Sequence, residues 1–157
     1  MKALTPCLNF GGNAREAFDF YQSIFGGEIT AVLRYRDLQM TAGMPEGDLD
    51  RIAHIYLDLG NGLSIIGSDF PDSYKEPYVP GNNVQLTVEP ETAEDAKRAF
   101  AALSEGGKVN MELEPTEWAE LFGDCIDRYG VGWLFNYTGN VQFNPNGAAE
   151  RQDAAAK

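Results

Sequence analysis

The sequence is poor in basic residues. It holds 12 Lys and Arg against 24 Asp and Glu, so the 157-residue chain carries a formal net charge of −12 at pH 7. Proteins that bind nucleic acids need a positive surface to displace counterions from phosphates, and anionic membranes attract the same kind of surface. We therefore expect neither a nucleic acid nor a membrane as partner.

Cysteine and histidine are also scarce. The two cysteines, Cys7 and Cys125, have no metal-like spacing, and His54 is the single histidine. No stretch pairs a basic start with a leader-length apolar run, and none approaches a membrane span. We expect a cytoplasmic protein with reduced thiols, because disulfides persist mainly in oxidising compartments.

The clearest positive signal is an internal repeat. Residues 20–29 (FYQSIFGGEI) are echoed 80 positions later by residues 100–109 (FAALSEGGKV). In both segments an amphipathic helix pattern stops at a Gly-Gly pair and a strand pattern begins at once. Self-similarity at this scale indicates duplicated structural units.

Each half of the chain predicts the order β-α-β-β-β. For the first half the elements are a strand at 3–10, a helix from the N-cap Asn13 to Gly26-Gly27, a strand at 28–35, a loop at 36–50, and a hairpin of strands 52–59 and 63–68. For the second they are a strand at 83–88, a helix capped by Thr92 and ending at Gly106-Gly107, a strand at 109–113, a short helical turn at 118–122, and a hairpin about Tyr129-Gly130.

These elements divide the chain into two modules. We predict a first βαβββ module at 1–70, a linker at 71–82, a second module at 83–139 and a disordered tail at 140–157. The alternating strands have one apolar and one semi-polar face, which places the helices outside and the semi-polar faces toward a cleft. The predicted fold is α+β, with paired modules that form a curved mixed sheet.

The order of several motifs resembles the vicinal-oxygen-chelate (glyoxalase/bleomycin-resistance/dioxygenase) superfamily, and within it the PhnB-like group. The segments that carry the likeness are 4–21 (LTPCLNFGGNAREAFDFY), 25–27 (FGG), 52–57 (IAHIYL), 65–69 (IIGSD), 118–123 and 127–133 (DRYGVGW). The resemblance implies a glyoxalase-like fold, commonly as a homodimer. It also implies a divalent metal that chelates adjacent substrate oxygens in the enzymes of the superfamily, although some members bind drugs without metal.

The metal positions of the superfamily fall here on poor donors. By strand face they correspond to Thr5, a position near Ile65, Asn83 and Leu134. A hydroxyl, an isoleucine, an amide and a leucine do not make a site for zinc, iron or manganese. We predict no metal and no other cofactor, and a non-standard divalent metal site stays an alternative.

The predicted cleft side of the strands supplies the candidate site residues. His54 is the candidate catalytic residue, a general base with Tyr56 as a neighbouring donor; its alternative role is only to satisfy a polar group at the sheet surface. The predicted ligand-binding residues are Cys7, Asn9, His54, Tyr56, Asn83, Gln85 and Trp118. For the three amides the alternative is a solvated sheet face, and Cys7 is expected to be an inert thiol.

Two functions from different classes follow. The first is a metal-free protein that binds a small organic ligand in a sheet-lined cleft. The second is an enzyme of the vicinal-oxygen-chelate type, a lyase, isomerase or dioxygenase-like protein, that uses a non-standard metal site or His54. The methyltransferase name attached to some members finds no support, because the sequence has no Gly-rich nucleotide-binding turn.

Overall fold

A computed structural model describes residues 3–39 and 41–143, in two compact units that divide between Gly81 and Asn82. The predicted tail at 140–157 lies outside the described residues from position 144 onward. Within the described ranges, no helix is long and apolar enough to cross a membrane.

The first unit is a four-stranded mixed sheet with one long helix. Strand order is β1-β4-β3-β2, with β1 parallel to β4 and the other pairs antiparallel. The elements are β1 (Cys7–Phe10), α1 (Ala14–Phe25), β2 (Glu28–Arg34), a 3₁₀ turn (Tyr35–Asp37), α2 (Glu46–Leu49), β3 (Ile52–Gly60) and β4 (Leu63–Asp69).

The second unit repeats this plan. Strand order is β5-β8-β7-β6, again with one parallel pair, β5 and β8. The elements are β5 (Leu86–Val88), α3 (Ala93–Ser104), β6 (Lys108–Glu114), β7 (Leu121–Ile126) and β8 (Gly132–Tyr137). The two mixed sheets and their helices confirm the α+β fold class.

Three predicted elements differ from the structure. The first strand begins at Cys7 rather than at residue 3, and β5 begins at Leu86 rather than at residue 83. The predicted helical turn at 118–122 is wrong, because Leu121 and Phe122 open strand β7. In β7 the small residues Gly123 and Cys125 are buried, whereas Phe122 and Asp124 are not, and this alternation is typical of a strand. The spacing of Trp118 and Phe122 suggested a helical turn instead.

Aromatic contacts fasten each helix to its sheet. Phe10 of β1 meets Phe18 of α1 edge-on with ring centroids 6.1 Å apart, and Phe18 meets Tyr21 at 5.9 Å. In the second unit Phe100 of α3 meets Phe135 of β8 edge-on at 5.5 Å. Burial of each ring stabilises the fold by about 1.5–3 kcal/mol. One face of each sheet is therefore covered by its helix.

The two glycines of each Gly-Gly pair have different tasks. Gly26 and Gly106 end their helices with φ of 76° and 74°, a left-handed conformation that costs glycine little. The following glycine runs against a neighbouring strand, because a Cβ on Gly27 would overlap the carbonyl oxygen of Asp58 and one on Gly107 that of Ile126. Each pair therefore stops a helix and then lets the chain enter the sheet.

The N-termini of the two long helices are capped differently. Thr92 caps α3 as predicted, since its Oγ1 accepts the Asp95 N–H at 3.1 Å. Asn13 is the N-cap residue of α1, as predicted, but its side chain makes no capping bond. Instead Oδ1 of Asp69 accepts the N–H groups of Gly12 and Ala14, at 3.1 and 2.8 Å. A carboxylate 55 residues away in the chain thus replaces the local cap.

The segment after β4 is tied back to the first unit by Asp48 and Arg51. The buried Asp48 carboxylate accepts the backbone N–H groups of Asp72 and Ser73 at 3.0 and 2.9 Å. Arg51 bonds Asp48 at 3.2 Å, donates to the Phe70 carbonyl at 2.6 Å and pairs with Asp72. Residues at the start of the predicted linker are therefore fixed to the first unit.

A tyrosine completes this attachment. The Tyr35 hydroxyl donates to the Asp69 backbone carbonyl at 3.0 Å. Burial, helped by the nearby Tyr74 hydroxyl and by the Asp69 and Asp48 carboxylates, raises the pKa of Tyr35 to about 12. The phenol consequently stays a donor throughout the neutral range.

We predict that the second glycine of each pair tolerates alanine less than the first. Gly26→Ala should lower the free energy of unfolding by about 1 kcal/mol, the cost of a left-handed conformation for an L-residue. Gly27→Ala adds an overlap with backbone and should cost about 3 kcal/mol. Urea unfolding of both variants, and of the matched pair Gly106→Ala and Gly107→Ala, measures the order; equal losses within a pair would contradict it.

We also predict that Asp48 stabilises the fold above acidic pH. Hydrogen bonds from the Ser73 side chain, then from the Ser73 and Asp72 backbone, and the Arg51 charge lower the pKa of Asp48. A carboxylate with a lowered folded-state pKa stabilises above its unfolded pKa of about 3.9, and this is lost as pH falls through the folded value.

Urea unfolding at pH 7 and below pH 4 tests this expectation. The stability gap between the unsubstituted protein and Asp48→Asn should be large at pH 7 and should shrink in acid. Asp19→Asn is the control, because Asp19 is exposed in a single ion pair with Arg15. A gap for Asp48→Asn that does not change with pH would count against the role of the charge.

Candidate ligand-binding surface

The sheet of the first unit has one face that α1 does not cover, here called the first open face. The strand register sets Cys7 of β1 beside Ile66 of β4, Ile66 beside Tyr56 of β3, and Tyr56 beside Ala31 of β2. Residues paired across a sheet point to the same side, so these four side chains form one row. Cys7 is exposed, and the other three are partly exposed.

A second row on this face is more polar. Asn9 pairs with Ser68, and His54 pairs with Leu33. The Ser68 hydroxyl donates to Oδ1 of Asn9 at 2.9 Å. Extending the pairing of Ile55 with Gly67 by one residue sets His54 beside Ser68. The structure thus brings together four of the predicted site residues, Cys7, Asn9, His54 and Tyr56, and adds Ile66 and Ser68.

The thiol in the first row is not activated. Partial burial raises the pKa of the Cys7 thiol above its ordinary value. A thiol is a nucleophile only as the thiolate, and here the thiol stays protonated near neutral pH. Cys7 can therefore contact a ligand as a small, weakly polar group.

The second sheet has a corresponding uncovered face, here called the second open face. Its central row runs through Thr87 of β5, Leu134 of β8, Asp124 of β7 and Met111 of β6. The sequence interpretation missed Asp124, because a helical turn was predicted where β7 begins. The signal was the alternation of small, buried Gly123 and Cys125 with larger neighbours.

The three predicted site residues of the second unit have different environments. Gln85 Nε2 lies 3.4 Å from Oδ1 of Asp124. Asn83 lies before β5, is exposed, and has no side-chain hydrogen bond within the described ranges. Trp118 precedes β7, is 40% exposed, and contacts Phe122 edge-on at 5.2 Å. Gln85 and Trp118 therefore border the second open face, whereas nothing ties Asn83 to it.

A β-bulge sits at the same point of both sheets. In β2 the register passes from Ile29 opposite Leu57 to Ala31 opposite Tyr56, so Thr30 is extra. In β6 it passes from Val109 opposite Cys125 to Met111 opposite Asp124, so Asn110 is extra. Bulges turn side chains and are frequent beside functional sites. The internal duplication thus makes Tyr56 and Asp124 equivalent positions on the two open faces.

The residues at the superfamily's metal positions do not fit a metal. Thr5 lies before β1 and Asn83 before β5. Ile65 is buried, on the opposite side of β4 from its neighbour Ile66 in the first row, and Leu134 is apolar. Within the described ranges, no three His, Cys, Asp or Glu side chains converge on a point that could hold an ion. We therefore derive no chemistry through a metal.

The buried carboxylates are occupied by the fold. Asp48 and Asp69 accept the backbone N–H groups described above. Asp127 accepts the N–H groups of Tyr129 and Val131 at 2.8 and 3.0 Å and the indole N–H of Trp133 at 2.8 Å. These three acids serve turns and helix ends, so Asp124 is the carboxylate that the central rows offer to a ligand.

Comparison with known proteins gives a consistent assignment. A family model described as 3-demethylubiquinone-9 3-methyltransferase matches residues 2–135. Protein YjdN of Escherichia coli is 31% identical over 142 residues, which is 85% of this chain and 93% of YjdN. Protein PA1353 of Pseudomonas aeruginosa is 35% identical with a TM-score of 0.77, over 87% of this chain and 98% of PA1353.

A third relative carries the group name. A Bacillus cereus structure described as a putative 3-demethylubiquinone-9 3-methyltransferase, PhnB protein, is 27% identical with a TM-score of 0.69, over 87% of this chain and 99% of that protein. These matches confirm the resemblance stated from the sequence. The chain belongs to the 3-demethylubiquinone-9 3-methyltransferase family of PhnB-like proteins and has a glyoxalase-like fold.

Proposed function

We propose that this protein is cytoplasmic and that it binds a small organic ligand against the open faces of its sheets, without the usual metal of the superfamily. The observation that carries the proposal is the composition of the first open face. Its two rows combine apolar Ile66 with the polar groups of Tyr56, Asn9, Ser68 and His54. Small-molecule sites combine apolar surface with a few convergent polar groups, and these rows contain both.

The methyltransferase activity in the family's description is not part of the proposal. Nucleotide-type cofactors bind where a Gly-rich turn leads from a strand into a helix whose first N–H groups receive an anionic group. In the first unit, the corresponding N–H groups of Gly12 and Ala14 already bond Asp69. The N–H groups of the β1–α1 turn are therefore already bonded to a carboxylate of the protein itself, that of Asp69.

A ligand that binds the folded protein should raise its melting temperature, and this rise should depend on the first open face. Free ligand at 100 times its Kd stabilises the fold by about 2.7 kcal/mol. A thermal-shift screen of small aromatic compounds, antibiotics and thiol conjugates would identify binders. Ile66→Arg should abolish the shift of a binder, because the long cation occupies the middle of the row.

Leu63→Arg is the matched control for this screen. It introduces the same side chain in the same strand, at a position that is 64% exposed next to the β3–β4 turn. The control should keep the ligand-induced shift. If both variants bound the ligand like the unsubstituted protein, the first open face would not be the site.

His54 favours a second candidate, an enzyme in which this imidazole moves a proton. Its place on the first open face, beside Ser68 and near Tyr56, is the observation in favour. We expect His54→Ala to reduce any turnover of a bound compound by about a hundredfold, typical of general-base catalysis. Turnover assays with the screened binders measure it; unchanged turnover would leave His54 as a binding or surface residue.

We further propose a homodimer. Large apolar side chains remain exposed within the described part of the chain, among them Leu4 at 88% and Val79 at 73%. Sedimentation equilibrium should give twice the chain mass of 17.2 kDa. A single species at the mass of one chain over micromolar concentrations would overturn the dimer and leave ligand binding to each chain alone.

A further inference from the structure

The central rows of the two open faces contain one acidic side chain, that of Asp124. The first row is Cys7, Ile66, Tyr56 and Ala31, and the second is Thr87, Leu134, Asp124 and Met111. Tyr56 and Asp124 occupy the equivalent positions opposite the two bulges. The duplicated scaffold therefore presents a phenol at this point in one unit and a carboxylate in the other.

The Asp124 carboxylate is held in place but not neutralised. Oδ1 accepts from Asn110 Nδ2 at 2.8 Å and lies 3.4 Å from Gln85 Nε2. Among the described residues, Oδ2 has no hydrogen-bond donor, and no Lys, Arg or His pairs with Asp124. Two neutral amides orient this negative charge without cancelling it, unlike the saturated carboxylates of Asp69 and Asp127.

Asn110 reaches Asp124 because it is the extra residue of the β6 bulge. Its neighbour Met111 pairs with Asp124 and is 48% exposed, so both residues border the carboxylate. A second register shift of this strand pair, between Met111 and Glu114, lies opposite Gly123, where a Cβ would lie only 2.9–3.0 Å from backbone atoms of residues 111–113. The pairing of β6 with β7 is therefore irregular next to Asp124.

Aromatic side chains lie beside the carboxylate on the same face. Phe122 is two residues away in β7 and partly exposed, and Trp118 contacts it at 5.2 Å. Phe143, which is 47% exposed, lies 6.5 Å from Trp118. Ring faces attract cations, and carboxylates bind them by charge-assisted hydrogen bonds. The whole chain adds a net charge of −12, which favours the approach of a positive ligand.

We propose that Asp124 is the specificity-determining residue of a ligand site on the second open face and that it selects an organic cation. The ligand would carry an ammonium or amidinium group that donates to Asp124 and an apolar or aromatic part that lies on Phe122, Trp118 and Met111. This proposal rests on the proposed function, because it names the ligand class of the same kind of surface.

Three probes of similar size test the charge preference. Phenethylammonium, 2-phenylethanol and phenylacetate share an aromatic ring and differ in charge. Titration of the ¹⁵N-labelled full chain followed by ¹H–¹⁵N spectra gives a Kd for each, with the side-chain amides of Asn110 and Gln85 as local reporters. The cation should bind about tenfold more tightly than the alcohol, the size of one charge-assisted hydrogen bond, and the anion should be weakest.

Asp124→Asn should remove this preference while it keeps the shape and the Asn110 contact. The cation should then bind no better than the alcohol, and binding of the alcohol should change little. Asp19→Asn is the control, since it removes one negative charge from the exposed side of α1 and should keep the preference. If Asp124→Asn did not fold, the order of the three probes on the unsubstituted protein would still decide.

The outcomes separate this inference from the proposed function. Equal binding of the cation and the alcohol, or a preference for the anion, would overturn the role of Asp124 and leave ligand binding intact. If all three probes shifted resonances elsewhere in the protein but not those of Asn110 and Gln85, the role of Asp124 would likewise be overturned. If no probe moved any resonance of either open face at millimolar concentration, the proposed function would be overturned together with the inference.

Discussion

The buried carboxylate of Asp69 is the constraint on which the first unit depends. It lies at the end of β4, accepts two N–H groups at the start of α1 and one from Ile52 at the start of β3, the last at 2.9 Å. Two other chain segments are therefore fixed to one side chain at the end of β4, which is 2% exposed. Because the helix is held on one side of the sheet by this attachment, the other side stays available for a ligand.

Local sequence signals predicted most of the fold. Alternation identified β3 and β4, helical spacing identified α1 and α3, and Thr92 marked a helix start by chemistry confined to four residues. The N-cap position of α1, Asn13, was also predicted, but the carboxylate that accepts the first N–H groups was not, because Asp69 is distant in sequence and only the tertiary fold brings it near. The hairpin about Tyr129-Gly130 was predicted, but the start of its first strand at Leu121 was missed for a related reason, since Gly123 is explained by the path of a neighbouring strand.

The residues of the candidate site could be predicted only where the strands are regular. Side chains on a regular strand follow a period of two, so Cys7, Asn9, His54 and Tyr56 were assigned to one face from the sequence. A bulge breaks that period, and its position depends on the partner strand rather than on the residues themselves. Asn110 and its contact with Asp124 therefore required the structure.

The alternation of the strands also has an evolutionary consequence. In β7, Gly123 and Cys125 face the helix and are buried, whereas Phe122 and Asp124 face the other side of the sheet and are partly exposed. Substitutions at neighbouring codons thus act on separate properties, one on foldability and the next on the surface offered to other molecules. In a protein with two such units, substitutions can change the open face of one unit while the other unit and the scaffold of both are retained.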